Sequence, residues 1–175
     1  MILDPFCFLH LHASGHFGEI LRDSGFHFMV SDYVLRNERL GGAAVGIVAD
    51  ADAGVKAAMS DGRLHVLELA DDAEALTYLD LVFELDEGEA QTCALAIHRR
   101  VMLASDEAKV HSAVARRAPG LKLIGTAALL RRWVDRARPS RAAVAAALGR
   151  ISDGAGFRVP AADPDSRWWG KSLRG

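Results

Sequence analysis

The chain has 175 residues, half of them apolar and a quarter charged, with a net charge of −2. These proportions suit one domain with a substantial core and exclude a disordered or fibrous chain. No apolar run approaches the roughly 20 residues needed to span a bilayer. No Cys-x-x-Cys or Cys/His spacing points to zinc.

Residues 1–11 read as a buried first strand running into a turn or helix, broken by Ala13-Ser14-Gly15. A short helix is expected near 16–23 and a second strand at Phe26-His27-Phe28-Met29-Val30. Ser31 is a good N-cap for a helix over about 32–40, which Gly41-Gly42 stops. Residues 42–70 are the least legible, with a turn at Ser60-Asp61-Gly62 and an alternating, strand-like Leu64–Leu69. Asp71 or Asp72 caps a helix to about 83, and Asp86 caps one to about 99. In the latter, Ala90, Cys93, Ala94 and Ile97 follow the i, i+3, i+4, i+7 pattern. A strand at 100–104, a helix over 106–117, a strand at 121–124 and a helix from Gly125-Thr126 to about 137 come next. A last helix is placed near 140–152, and the tail reads as extended up to Trp168-Trp169. Alternating strands and three-turn helices predict an α/β fold, a mainly parallel sheet with helices on both faces. Residues 1–137 form the main unit, and 138–175 are a C-terminal helix and tail packed on the same domain.

Charge is unevenly distributed. Residues 1–98 hold 17 acids and 5 basic residues, whereas 99–175 hold 16 basic residues and 6 acids. Solvated helix faces account for this as readily as an acidic metal-binding half beside a basic, phosphate-binding half. On the second view Arg99, Arg100, Arg131 and Arg132 are the residues placed to hold a nucleic-acid backbone. The two cysteines, Cys7 and Cys93, lie in apolar surroundings and read as buried thiols of a reducing cytoplasm. No basic stretch precedes the apolar start, so no signal peptide is expected.

Asp4 and Asp106 each follow a short apolar run, and Glu38 and Glu89 fall on helices between them. Acids at the carboxyl ends of parallel strands face the crevice where such sheets bind ligands. Clustered there, they repel one another unless a hard cation such as Mg²⁺ or Mn²⁺ is present. Capping chemistry competes with this reading. Asp86 and Glu89 have capping-box spacing, and Ser105 followed by Asp106 suits the first turn of a helix.

Several segments together resemble PIN-domain nucleases, the family that includes VapC-like toxins. They are Ile2-Leu3-Asp4 with Ala13-Ser14-Gly15, Asp86-Glu87-Gly88-Glu89-Ala90 with Ala94-Leu95-Ala96, Leu103-Ala104-Ser105-Asp106-Glu107, and Ile124-Gly125-Thr126 with Leu129-Leu130. The resemblance implies a three-layer α/β/α sandwich and Mg²⁺/Mn²⁺-dependent hydrolysis of RNA phosphodiesters. It implies a quartet of metal-binding and catalytic acids, Asp4, Glu38, Glu89 and Asp106, with Thr126 in support and Glu107 as a possible fifth acid. It also implies RNA, a cognate antitoxin and a homodimeric partner. Pro5-Phe6 and His10 depart from the family pattern, replacing small polar residues near the first acid. A PIN-like scaffold without useful catalysis, acting through protein–protein contacts, is the alternative.

Three further features are read as structural. His10, His12 and His16 lack a zinc-helix spacing. Trp168-Trp169 could stack on RNA bases but suits docking on the domain better. Gly41-Gly42-Ala43-Ala44-Val45-Gly46 lacks the ending of a phosphate loop.

Overall fold

Five strands form a single, fully parallel sheet. The computed structural model describes residues 1–36 and 53–174. Glu38, the end of the helix expected at 32–40 and the glycines after it lie outside the described residues. The strands are β1 (Ile2–Leu3), β2 (Phe28–Ser31), β3 (Leu64–Leu67), β4 (Leu103–Ala104) and β5 (Leu123–Ile124), in spatial order β3-β2-β1-β4-β5. The central strand is in register with both neighbours: Ile2 stands beside Met29 and Leu103, and Leu3 beside Val30 and Ala104. Order reverses on either side of β1, so the carboxyl ends of β1, β2 and β4 flank the switch point where open sheets bind ligands.

Helices cover both faces. On one lie α1 (Pro5–Ala13), α2 (Phe17–Asp23), α4 (Ala53–Ser60), α8 (Thr126–Ala137), α9 (Arg141–Gly149) and α10 (Ser166–Leu173). Their buried side chains meet Leu3, Phe28, Val30 and Ala104 in one core around Trp133. On the other lie α5 (Asp72–Leu81), α6 (Glu87–Arg99) and α7 (Ala108–Arg117), packed against Ile2 and Leu103. Successive strand residues thus feed opposite cores, as the period of two requires. A short helix, α3 (Asp32–Arg36), begins where β2 ends.

The expected alternation of strands and helices stands, in the three-layer α/β/α arrangement. Two features have local causes. Pro5 sits at the first position of α1, where its fixed φ and missing N–H suit a helix start, so the chain turns helical directly after Leu3. The tail runs without helix or strand to Asp165, and the tryptophans themselves fall in α10, with Trp169 buried against Phe157 at a ring separation of 5.4 Å. An eight-residue helix is marginal alone, and tertiary burial sustains it. Val144, Ala147, Leu148, Ile151, Phe157 and Trp169 all belong to the α8-side core.

Charged ties brace the helices. The buried Glu74 accepts from Arg99 Nε at 2.8 Å and from the Ala70 N–H at 2.8 Å, joining α5 to the end of α6.

Leu3→Ala, at a fully buried centre of the sheet, is expected to lower unfolding free energy by about 2–5 kcal/mol. Phe83→Ala, at a side chain that is 90% exposed, should stay within about 0.5 kcal/mol of the parent, both variants read by urea unfolding.

Candidate functional site

Asp4 follows β1 directly and caps α1. Its backbone N–H donates to Ala104 O at 3.0 Å, continuing the β1–β4 ladder by one residue. Its Oδ1 accepts from the Cys7 N–H at 2.6 Å, which is the N-cap bond of α1. Strand and helix together leave this carboxylate no freedom to reach solvent, and Asp4 is fully buried. Its Oδ2 receives no hydrogen bond from the described residues. Burial pushes its pKa up to about 7; the nearby Ser105 hydroxyl and the Cys7 N–H oppose this, and the negative charge of Asp106 adds to it.

Asp106 lies two residues beyond β4 and is held from several sides. Oδ1 accepts from the Thr126 N–H at 2.9 Å, and Oδ2 accepts from the Thr126 hydroxyl at 2.5 Å. His10 Nδ1 lies 3.3 Å from Oδ2 and 3.1 Å from Thr126 Oγ1. A carboxylate only accepts, so this ring nitrogen carries the proton. The Cys7 thiol donates toward the same Oδ2 at 3.5 Å. Burial pushes the Asp106 carboxyl up, but His10 and both Thr126 donors outweigh it and hold its pKa below the ordinary value. Gly125 is required beside it: a Cβ there would stand 2.8 Å from Asp106 Oδ1 and 3.9 Å from Asp163 Oδ2. A second acid, Asp163, therefore approaches this edge from the segment before α10.

Glu89 occupies the first turn of α6. Its Oε2 accepts from the Asp86 N–H at 3.0 Å, as a capping box requires, and from Lys109 Nζ at 2.8 Å. Its Oε1 is buried without a hydrogen-bond partner among the described residues. Burial raises its pKa against the pull of Lys109. Burial also draws the Lys109 ammonium down, but Asp86 and Glu89 reverse this and keep it protonated above its usual range. Gly88 lets α6 press on α1: a Cβ there would meet Pro5 Cγ at 2.9 Å and Tyr33 Cδ1 at 3.0 Å. The helix starts bearing Asp4 and Glu89 are thus in contact.

Asp4 and Asp106 come together around Cys7 and Thr126, while Glu89, in the first turn of α6, is paired with Lys109. Among the described residues, no group of three His, Cys, Asp or Glu side chains stands ready-made to hold a metal ion. Glu107 is the N-cap residue of α7, with its N–H on Ser105 Oγ at 3.2 Å, and no bond joins its carboxylate to Asp4 or Asp106. Among the arginines considered for the backbone of a nucleic acid, Arg99 is paired with Glu74, Arg131 with Asp165, and Arg132 bonds Ser24 O and lies 4.5 Å over the Phe26 ring.

Sequence reasoning set His10 and Cys7 aside, yet both face Asp106. The signal was Asp4-Pro5 itself: a cap followed by proline starts α1 at once and puts positions 7 and 10 on one helix face. Asp32, directly after β2, accepts from Gln91 Nε2 at 2.8 Å and pairs with Arg36 at 3.4 Å.

No family model matches the chain, and no curated protein or solved structure matches it significantly.

Because the Asp4 carboxyl is easier to protonate folded than unfolded, the native state binds the extra proton between pH 4 and 7. Stability should fall as pH rises through that window, by on the order of 4 kcal/mol. Asp4→Asn, which retains a good N-cap, should exceed the parent in stability at pH 8 and lose that advantage at pH 4, read by urea unfolding. An advantage that does not vary with pH would contradict the buried charge.

Proposed function

We propose that the chain is a Mg²⁺- or Mn²⁺-dependent ribonuclease that hydrolyses phosphodiester bonds, with Asp4, Glu89 and Asp106 as its cation ligands. The observation that carries this reading is the meeting of Asp4 and Asp106 at the switch point of a parallel sheet, with Asp4 Oδ2 buried and lacking a donor. Glu89 Oε1 is a second buried oxygen without a donor. Oxygen donors with unmet demand fit a hard divalent cation, and Lys109 already supplies one positive charge to this region.

A cation held by Asp4, Glu89 and Asp106 would supply positive charge to the scissile phosphate and acidity to a nearby water. The chain's own residues do the positioning. The β1–β4 ladder and the start of α1 fix Asp4; Thr126 and His10 fix Asp106 and keep it ionised. Cys7 is no nucleophile, because burial and the adjacent carboxylates push its thiol well above the usual range. In this reading a water molecule is the attacking group. Glu38, outside the described residues, completes the quartet in this reading. As in the toxins that the motifs resemble, a cytoplasmic setting, a homodimer and a cognate antitoxin go with the proposal. Among the described residues no helix is long and apolar enough to cross a membrane.

A second reading, a scaffold acting through protein contacts, draws on different observations. Lys109 already neutralises Glu89, and α5 with the turn after it exposes Leu76, Leu79 and Phe83. Exposed apolar clusters mark interaction surfaces.

Saturating Mg²⁺ or Mn²⁺ should raise the melting temperature by about 5 °C, and Asp4→Asn or Asp106→Asn should abolish that shift. The same variants should cut RNA cleavage at least ~100-fold. A parent protein that neither cleaves RNA nor responds to either metal supports the scaffold. Unchanged cleavage in Asp4→Asn, with no metal stabilisation, overturns the nuclease.

A further inference from the structure

A groove of about 250 Å³ lies where the end of α8, the start of α9 and the last turn of α10 meet. Its walls are Val134, Pro139, Val144 and the Trp168 indole, with Arg141 and Lys171 at the rim. Both rim residues are exposed. Arg99, Arg116, Arg117, Arg131 and Lys109 all face carboxylates. Among the described residues, Arg141 and Lys171 have no acidic partner. Arg138, immediately before Pro139, is exposed and likewise unpaired among the described residues.

We infer that this groove is a subsite for one nucleotide of single-stranded RNA, its base against Trp168 and its phosphate between Arg141 and Lys171. The volume sits below the range that takes drug-sized ligands, about 300–1,000 Å³, and suits a single base-sized group. The lining supplies what single-strand binders combine, an aromatic face and adjacent cations. The cations oppose an apolar partner with no charge of its own. RNA, rather than an acidic peptide, is the occupant because α8 runs from Thr126 at the carboxylates to the groove, a choice that rests on the ribonuclease reading. Val134 to Ala137 lie on the order of 15 Å along that helix from Thr126, a few nucleotides of stacked strand. Arg131 and Arg138 lie exposed along the same stretch.

The probe is a fluorescein-labelled, mixed-sequence RNA 12-mer, with binding read by anisotropy in EDTA so that no cleavage occurs. Trp168→Ala should weaken binding about tenfold, while Trp168→Phe retains most of it. Arg141→Gln with Lys171→Gln, both on exposed side chains, should reduce the slope of log affinity against log salt by about 0.7. The double variant keeps the test decisive if Trp168→Ala fails to fold. Unchanged affinity and salt slope in the double variant overturn the subsite. Competition by a polyglutamate peptide as strong as that by unlabelled RNA overturns the choice of occupant. Lost RNA affinity in Trp168→Ala with full cleavage by Asp4→Asn would keep the groove and remove the Asp4-centred cation site. The converse pattern would keep the nuclease and remove the groove.

Discussion

One carboxylate is held where the fold gives it no water. Asp4 belongs to two elements at once: its N–H extends the ladder from β1 to β4, and its side chain caps α1. Neither can be released without losing the other. The cost of keeping a charge there is several kcal/mol unless something compensates it. The surrounding layout follows from that constraint. Thr126, His10 and Cys7 attend to Asp106, keeping its charge in place a short distance away, which pushes the Asp4 carboxyl still further up. One acid is driven toward neutrality and its neighbour toward ionisation, the pattern by which paired titratable groups divide roles at functional sites.

The rest of the edge is built from helix starts. α1 begins after β1, α6 presses Gly88 on Pro5, and α8 begins at Thr126 beneath Gly125. Each contributes N–H groups and a partial positive charge to the crevice. The carboxylates therefore stand where helix dipoles favour anions, which eases their burial without removing it. Lys109, bridging Asp86 and Glu89, provides the full charge that dipoles cannot.

Much of this was legible in the residues. The alternation of strands and helices gave the sandwich, and the Asp86–Glu89 spacing gave the capping box that forms. Glu89 illustrates why capping and metal binding are hard to separate by pattern: one oxygen caps while the other stays free. What was not legible lies far apart in sequence. His10 meets Asp106 across 96 positions and Thr126 across 116, contacts that no local period encodes. Three of the strands are two residues long, too short for an alternation signal; their apolar runs marked them in the sequence, but their short extent shows only in the sheet. The α10 helix escaped notice because its stability comes from Trp169 entering a core built by other segments. The charge asymmetry proved partly internal: many arginines of the C-terminal half meet acids or carbonyls, and Arg141 and Lys171, which do not pair with an acid among the described residues, stand at the rim of the Trp168 groove.

The central claim, a buried carboxylate awaiting a cation, is tested most directly by following the ¹³C-carboxyl resonance of Asp4 against pH, with and without Mg²⁺. Without metal the resonance should titrate near 7, and saturating Mg²⁺ should move that midpoint well down. A midpoint in the ordinary carboxylate range, or one that Mg²⁺ leaves in place, would contradict it.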